Sequence, residues 1–242
     1  MPLPISFCCA AGALLPTALP TGNYDRIAGF YDALAGLIFG TALRQAQRAA
    51  LLAGLPPGAP RVLILGGGTG WVLTEVLRQR PTARVLYLEA SARMLARARR
   101  HQPAFDQKDQ VEFRLGTEQN LRPGEQFNAI ITFFVLDCFP ADLLPAALQR
   151  LNAARHPAAP WLLADFRLPR RWWQRGLLRL MYLFFRLTTG LRARSLPDLP
   201  AALTALGLRP RPAGLFFAET IEAIVFEVAM TPVSSDPNTE SG

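Results

Sequence analysis

Between Val62 and Phe166 the chain repeats one pattern: a short apolar run, a turn, then a segment with helical spacing. The apolar runs are RVLILG (61–66), ARVLYLEA (83–90), VEFRLG (111–116), FNAIITFFVL (127–136) and APWLLADF (159–166). The segments predicted to be helical are Trp71–Gln79, Ser91–Arg100 with Ser91 as its N-cap, and Pro140–Ala154. Strands joined through helices run parallel, because a parallel pair needs a long crossover. Most of these runs are continuously apolar, as expected when both sheet faces are covered. The end of the chain differs. GLFFAE, from Gly214, and IEAIVFEV, from Ile221, are too close for a helical crossover, so they form a hairpin that adds an antiparallel strand. The pattern predicts an α/β fold with a doubly wound, mostly parallel seven-stranded sheet and a C-terminal antiparallel hairpin.

Composition bounds the rest. Half of the 242 residues are apolar and 18% are charged, enough for a sizeable core. One domain over 23–230 is expected, with a loosely ordered extension at 1–22 and a disordered polar tail at 231–242. Residues 23–48 read as helical. The extension lacks the Lys or Arg of a secretory leader, and Pro2, Pro4, Pro16 and Pro20 break its apolar run. It reads equally as a start codon placed too early. Cys8, Cys9, Cys138, His101 and His156 make no metal pattern and no disulfide framework, so no metal and a reducing, cytoplasmic compartment are expected. The net charge of +8 comes almost wholly from arginine, Lys108 being the only lysine. That balance fits nucleic acid, anionic lipid, or an arginine-rich genome.

The first apolar run leads into GGGTGW, Gly66 to Trp71. A phosphate-binding P-loop would need a lysine here, and there is none. A dinucleotide loop, G-x-G-x-x-G, would put its third glycine on Trp71 or Leu73. A tight strand-to-helix turn with no ligand is the structural alternative. The spacing that fits is G-x-G-x-G, at Gly66, Gly68 and Gly70. It resembles motif I of the class I S-adenosylmethionine-dependent methyltransferases. LGGGTG is most similar to the text of the ubiquinone/menaquinone C-methyltransferase group.

The resemblance runs from about Tyr24 to Val228 and rests on the order of several short matches. Glu89 ends the second run about 20 residues after the loop, where an acid accepts ribose hydroxyls. LEASARMLARAR, GTEQNL, FNAIITFFVLDCF and the earlier YDRIAGFYDAL each look like the corresponding family segment. The resemblance implies the methyltransferase variant of the Rossmann-like fold and S-adenosylmethionine as cofactor. It implies contacts from Gly66, Gly67, Gly68, Thr69, Gly70, Glu89, Ala90, Met94, Thr117, Glu118, Thr132, Phe133 and Tyr31. Three positions depart from the family text. Ile64 and Thr117 stand where acids are usual, and Trp71 stands where the quinone group has an acid.

Methyl transfer from a sulfonium needs alignment and exclusion of water more than acid–base chemistry. If the acceptor must lose a proton, Asp137 and Asp165 are the candidate bases. Their structural alternative is to cap the helices after the fourth and fifth strands. Cys138 reads as a buried small residue and His101 as a helix-end residue. The resemblance alone implies a small-molecule acceptor, an apolar or quinone-like ring. Two other readings stand beside this one: a non-catalytic module of the same fold, and a nicotinamide-dependent oxidoreductase. A nucleic-acid acceptor is disfavoured, because no N/D-P-P-Y/W or cysteine–proline motif follows the fourth strand.

One stretch stands apart. In PRRWWQRGLLRLMYLFFRLTTGLRAR (169–194), Arg171, Arg175, Arg179, Tyr182 and Arg186 share a helical face. Its arginines exclude a membrane span. Either its aromatic side packs over the site with a solvated arginine face, or residues 169–190 dock peripherally on the inner membrane face.

Overall fold

Alternate side chains of the central strands enter two separate cores, one on each side of the sheet. The computed structural model describes residues 39–101, 109–177, 179–180 and 196–228. In β1 (Arg61–Leu65), Val62 and Ile64 join one core, while Leu63 and Leu65 join the other. β2 (Arg84–Glu89), β4 (Ala129–Phe133) and β5 (Trp161–Phe166) are buried in the same two-sided way. β3 (Val111–Leu115) lies at one edge. α1 (Ala42–Gly54), α2 (Trp71–Gln79) and α3 (Ala92–His101) pack against the first face. α4 (Leu144–Ala153) and α5 (Leu199–Thr204) pack against the second.

The sheet has seven strands in the order β3-β2-β1-β4-β5-β7-β6, where β6 is Leu208–Phe216 and β7 is Ile221–Val228. β1 to β5 are parallel, and β7 runs antiparallel to both β5 and β6. This is the doubly wound sheet with the C-terminal hairpin that the sequence pattern predicts. The strand order reverses between β1 and β4, so a crevice opens at their carboxyl ends.

Element ends differ from the sequence reading for local reasons. β4 stops at Phe133, three residues early, because Phe134 takes a left-handed φ of 52°. α4 starts at Leu144, after a turn in which Pro140 O accepts the N–H groups of Leu143 and Leu144. β6 begins at Leu208, six residues before Gly214. Pro210 and Pro212 hide it in the sequence, yet prolines are tolerated on an edge strand. The expected extension, the tail, most of the 23–48 helix, Tyr24 and Tyr31 lie outside the described residues.

Candidate active site

The glycine loop joins β1 to α2 at the reversal point. Gly66 N–H donates to Leu88 O at 2.8 Å, which ties the loop to β2. Gly70, the residue before α2, has φ 103°, and a Cβ there would come within 2.9 Å of Ala98 Cα in α3. Only glycine allows α2 and α3 to approach so closely. Gly68 is different. Its φ is +63°, but a Cβ would meet no atom within 4 Å, so the space beside its backbone is open. The Tyr87 hydroxyl supports the loop from below by donating to Gly68 O at 2.9 Å.

Glu89 faces the same loop. Its Oε2 accepts the Gly68 N–H at 3.0 Å and its Oε1 accepts the Ser91 N–H at 2.9 Å. Ser91 caps α3 as expected, its Oγ accepting the Met94 N–H at 3.2 Å. Ala90 and Met94 are half-buried beside it, as is Thr69 in the loop.

Beyond β3, Thr117 is committed locally. Its hydroxyl accepts the Gln119 N–H, and Asn120 Oδ1 accepts the Thr117 N–H at 2.9 Å, closing a one-turn helix over Glu118–Asn120. Glu118 is buried, and Arg150 approaches its Oε1 at 3.4 Å. Its Oε2 is buried without a hydrogen-bond partner among the described residues.

The carboxyl ends of β4 and β5 bring Asp137 and Asp165 together. Neither caps a helix. Asp137 lies inside a one-turn helix (Leu136–Cys138), where its Oδ1 accepts from Cys138 Sγ at 3.4 Å. Asp165 Oδ1 accepts the Phe166 N–H at 2.8 Å, and its Oδ2 is buried without a hydrogen-bond partner among the described residues. Burial pushes the Asp137 carboxyl up to about 6. Burial, then the charges of Asp137 and Glu222, push Asp165 well above the ordinary carboxylate range. Glu222 pairs directly opposite Asp165 on β7 and is itself raised by burial, with Arg167 Nε at 3.0 Å opposing.

The side chains of two expected contacts are buried. Thr132 is fully buried in mid-sheet, its Oγ1 accepting the Trp161 Nε1–H at 2.8 Å. Phe133 is 6% exposed and belongs to the core on the α1–α3 face. Both side chains are engaged in packing, so neither stands free to meet a ligand. The residues after them form the wall instead. Phe134, left-handed and half-buried, packs edge-on to Phe166 with centroids 5.5 Å apart. Phe39 joins Phe166 at 5.2 Å and Phe217 at 5.0 Å. Together they make a partly buried aromatic cluster past the ends of β4, β5 and β6.

The departures at β1 and α2 have structural explanations. Ile64 is 1% exposed and packs in the core. Trp71 lies under Arg44 and Arg48 of α1, each guanidinium carbon 5.8 Å from a ring centroid, and so joins α1 to α2. Sequence reasoning missed Tyr87, although the two-residue strand period puts it on the same side as Glu89. It also missed the aromatic cluster, whose members come from four separate segments. Among the described residues no helix is long and apolar enough to cross a membrane, and no group of three His, Cys, Asp or Glu side chains could hold a metal ion.

Comparison with known proteins points one way. Residues 63–159 match the family model described as a methyltransferase domain. A trans-aconitate 2-methyltransferase from Streptomyces coelicolor is 31% identical over 99 residues, 40% of this chain and 33% of that protein. The mitomycin 7-O-methyltransferase MmcR matches in fold with a TM-score of 0.61 and 23% identity, over 84% of this chain and 60% of that one. The DhpI–SAH complex matches with a TM-score of 0.59 and 22% identity, over 88% and 96%. The match spans a third of the curated relative's length. The fold is the Rossmann-like methyltransferase fold.

Proposed function

We propose that this chain transfers a methyl group from S-adenosylmethionine to a small, apolar acceptor. The observation that carries the cofactor half is the open space at Gly68, bordered by the Glu89 carboxylate. When bound, S-adenosylmethionine supplies an electrophilic methyl group on a sulfonium. Gly68 leaves its backbone bare for the cofactor's close approach. Glu89, held by the Gly68 and Ser91 amides at the end of β2, borders the open space as the acid that accepts ribose hydroxyls. The unpartnered Oε2 of Glu118 suits an exocyclic amine beyond β3, the role that Thr117 gives up to capping.

The acceptor half rests on the aromatic cluster of Phe39, Phe134, Phe166 and Phe217, which offers ring faces and no charge. A planar apolar ring, quinone-like or phenolic, suits it. Asp137 and Asp165 hold protons more tightly than ordinary carboxyls, and their depth favours a positioning role over direct proton abstraction.

Calorimetry with S-adenosylmethionine and S-adenosylhomocysteine tests the reading. Both should bind, and Glu89→Gln should weaken both about 10- to 100-fold by removing a charged acceptor. Binding of neither, or tight binding of NADH alone, would overturn it. Binding of both with no methylation of any phenolic or quinol acceptor would favour a non-catalytic module.

A further inference from the structure

We propose that the segment around Trp172 is a docking surface for an anionic lipid bilayer. The chain is helical at 172–177 and 179–180, and two ridges run side by side along this helix. Arg171, Arg175 and Arg179 form one, and all three are exposed with no acidic partner among the described residues. Trp172, Gly176 and Leu180 form the other. Trp172 is 84% exposed and Leu180 65%, and Leu168, just before the helix, is 48% exposed. Large apolar side chains at such exposure, flanked by unpaired cations, mark an interaction site rather than a solvated face.

The opposite side of the helix is fixed. Gln174 is buried, its Oε1 accepts the N–H groups of Arg170 and Arg171 at 2.9 Å, and its Nε2 donates to Ala218 O at 3.0 Å. Leu177 packs on the core. The Ala218 carbonyl belongs to the β6–β7 turn, in which Phe217, Ala218 and Glu219 are all left-handed. The exposed ridges are therefore held rigidly outward from the turn that carries Phe217.

The chemistry selects a bilayer. Arginines alone would serve any polyanion. Leu168 and Leu180 have no use on a phosphate backbone, but they suit the acyl boundary beneath a headgroup layer. An indole ring beside arginines suits the headgroup level itself. Because Phe217 lies in the aromatic cluster, docking would also turn the proposed acceptor site toward the lipid, a consequence that rests on the methyltransferase reading.

Sedimentation of the full chain with vesicles tests the proposal. Phosphatidylcholine–phosphatidylglycerol vesicles should retain it at low salt, phosphatidylcholine alone should not, and high salt should release it. A triple Arg171→Gln, Arg175→Gln, Arg179→Gln variant should lose affinity on the order of a hundredfold, at about fivefold per arginine. Trp172→Ser should weaken retention about tenfold. These exposed substitutions should leave the circular dichroism spectrum and S-adenosylmethionine binding unchanged, so a failure here is separable from a failure of the cofactor reading. No retention by the anionic vesicles at low salt overturns the proposal. So does wild-type retention of both variants, or tighter binding to single-stranded RNA than to the vesicles.

Discussion

Glu89 and Asp165 are buried to similar depth in one sheet, 6% and 1% exposed, at the carboxyl ends of β2 and β5. Their surroundings are opposite. Glu89 has an amide N–H on each oxygen and an open space beside it. Asp165 has one amide on one oxygen, no hydrogen-bond partner for the other among the described residues, and two further carboxylates for neighbours. Burial alone therefore does not decide what a carboxylate does in this fold; the donors around it do. The β1–β2 side is pre-organised to accept hydrogen bonds. The β5–β7 side is organised to retain protons.

The glycine loop gives the sharpest way to separate binding from folding on the first side. Gly70→Ala should cost about 3 kcal/mol, because a left-handed backbone and a contact with the Ala98 backbone act together. Gly68→Ala should cost only about 1–2 kcal/mol, the left-handed strain alone. Yet Gly68→Ala should lower S-adenosylmethionine affinity on the order of a hundredfold, since its methyl group enters the open space. Urea denaturation and calorimetry on both variants check the pair. Equal affinity in wild type and Gly68→Ala would mean that the open space is not the cofactor's.

This half of the site was legible in the sequence for a physical reason. Glycine spacing, an acid at a strand end and a serine cap are local signals, so Gly66–Gly70, Glu89 and Ser91 could be read from neighbours within one βαβ unit. The fold was legible in the same way, because seven apolar runs and their separations suffice to order parallel strands and a hairpin. The other half was not. Phe39, Phe134, Phe166 and Phe217 come together only through strand order, and nothing adjacent in sequence links them. Thr132 and Phe133 lie at the carboxyl end of β4, as a site position requires. Whether a strand-end side chain faces a crevice or a core depends on the packing around it, here Trp161 and the first core. Trp71 and Thr117 looked like losses from a ligand site, but each has a packing or capping role visible only in three dimensions.

The second side should reveal itself through pH. Asp137 and Asp165 are both shifted upward, so the native state holds more protons than the unfolded chain between the ordinary value of 3.8 and the folded values. Their contribution to stability is full below about pH 4 and is lost as pH rises, through about 6 for Asp137. Glu75 moves the other way. Hydrogen bonds from Arg78 lower it to about 2, so its contribution is lost only as pH falls below 4.5 through that value. The two windows overlap only between the ordinary values of 3.8 and 4.5. Asp165→Asn stays neutral and relieves its neighbour, so it should be more stable than wild type at pH 8 by on the order of 2 kcal/mol, with little difference at pH 4. Urea midpoints across that range check it. A variant that tracks wild type at both ends would remove the contrast with Glu89.

The smallest effect tests the strand between the two sides. Thr132→Val keeps the shape of the buried side chain but strands the Trp161 Nε1–H in the core. It should cost about 1–2 kcal/mol, the penalty for a buried donor left without its acceptor. Trp161→Phe removes the donor as well, so adding it to Thr132→Val should cost less than the two changes separately. S-adenosylmethionine affinity should be unaffected throughout, because Thr132 is fully buried and its hydroxyl already has its partner. An affinity loss in Thr132→Val as large as that of Glu89→Gln would instead make mid-β4 part of the cofactor site. The division between a binding side and a proton-retaining side would then have to be redrawn around β4.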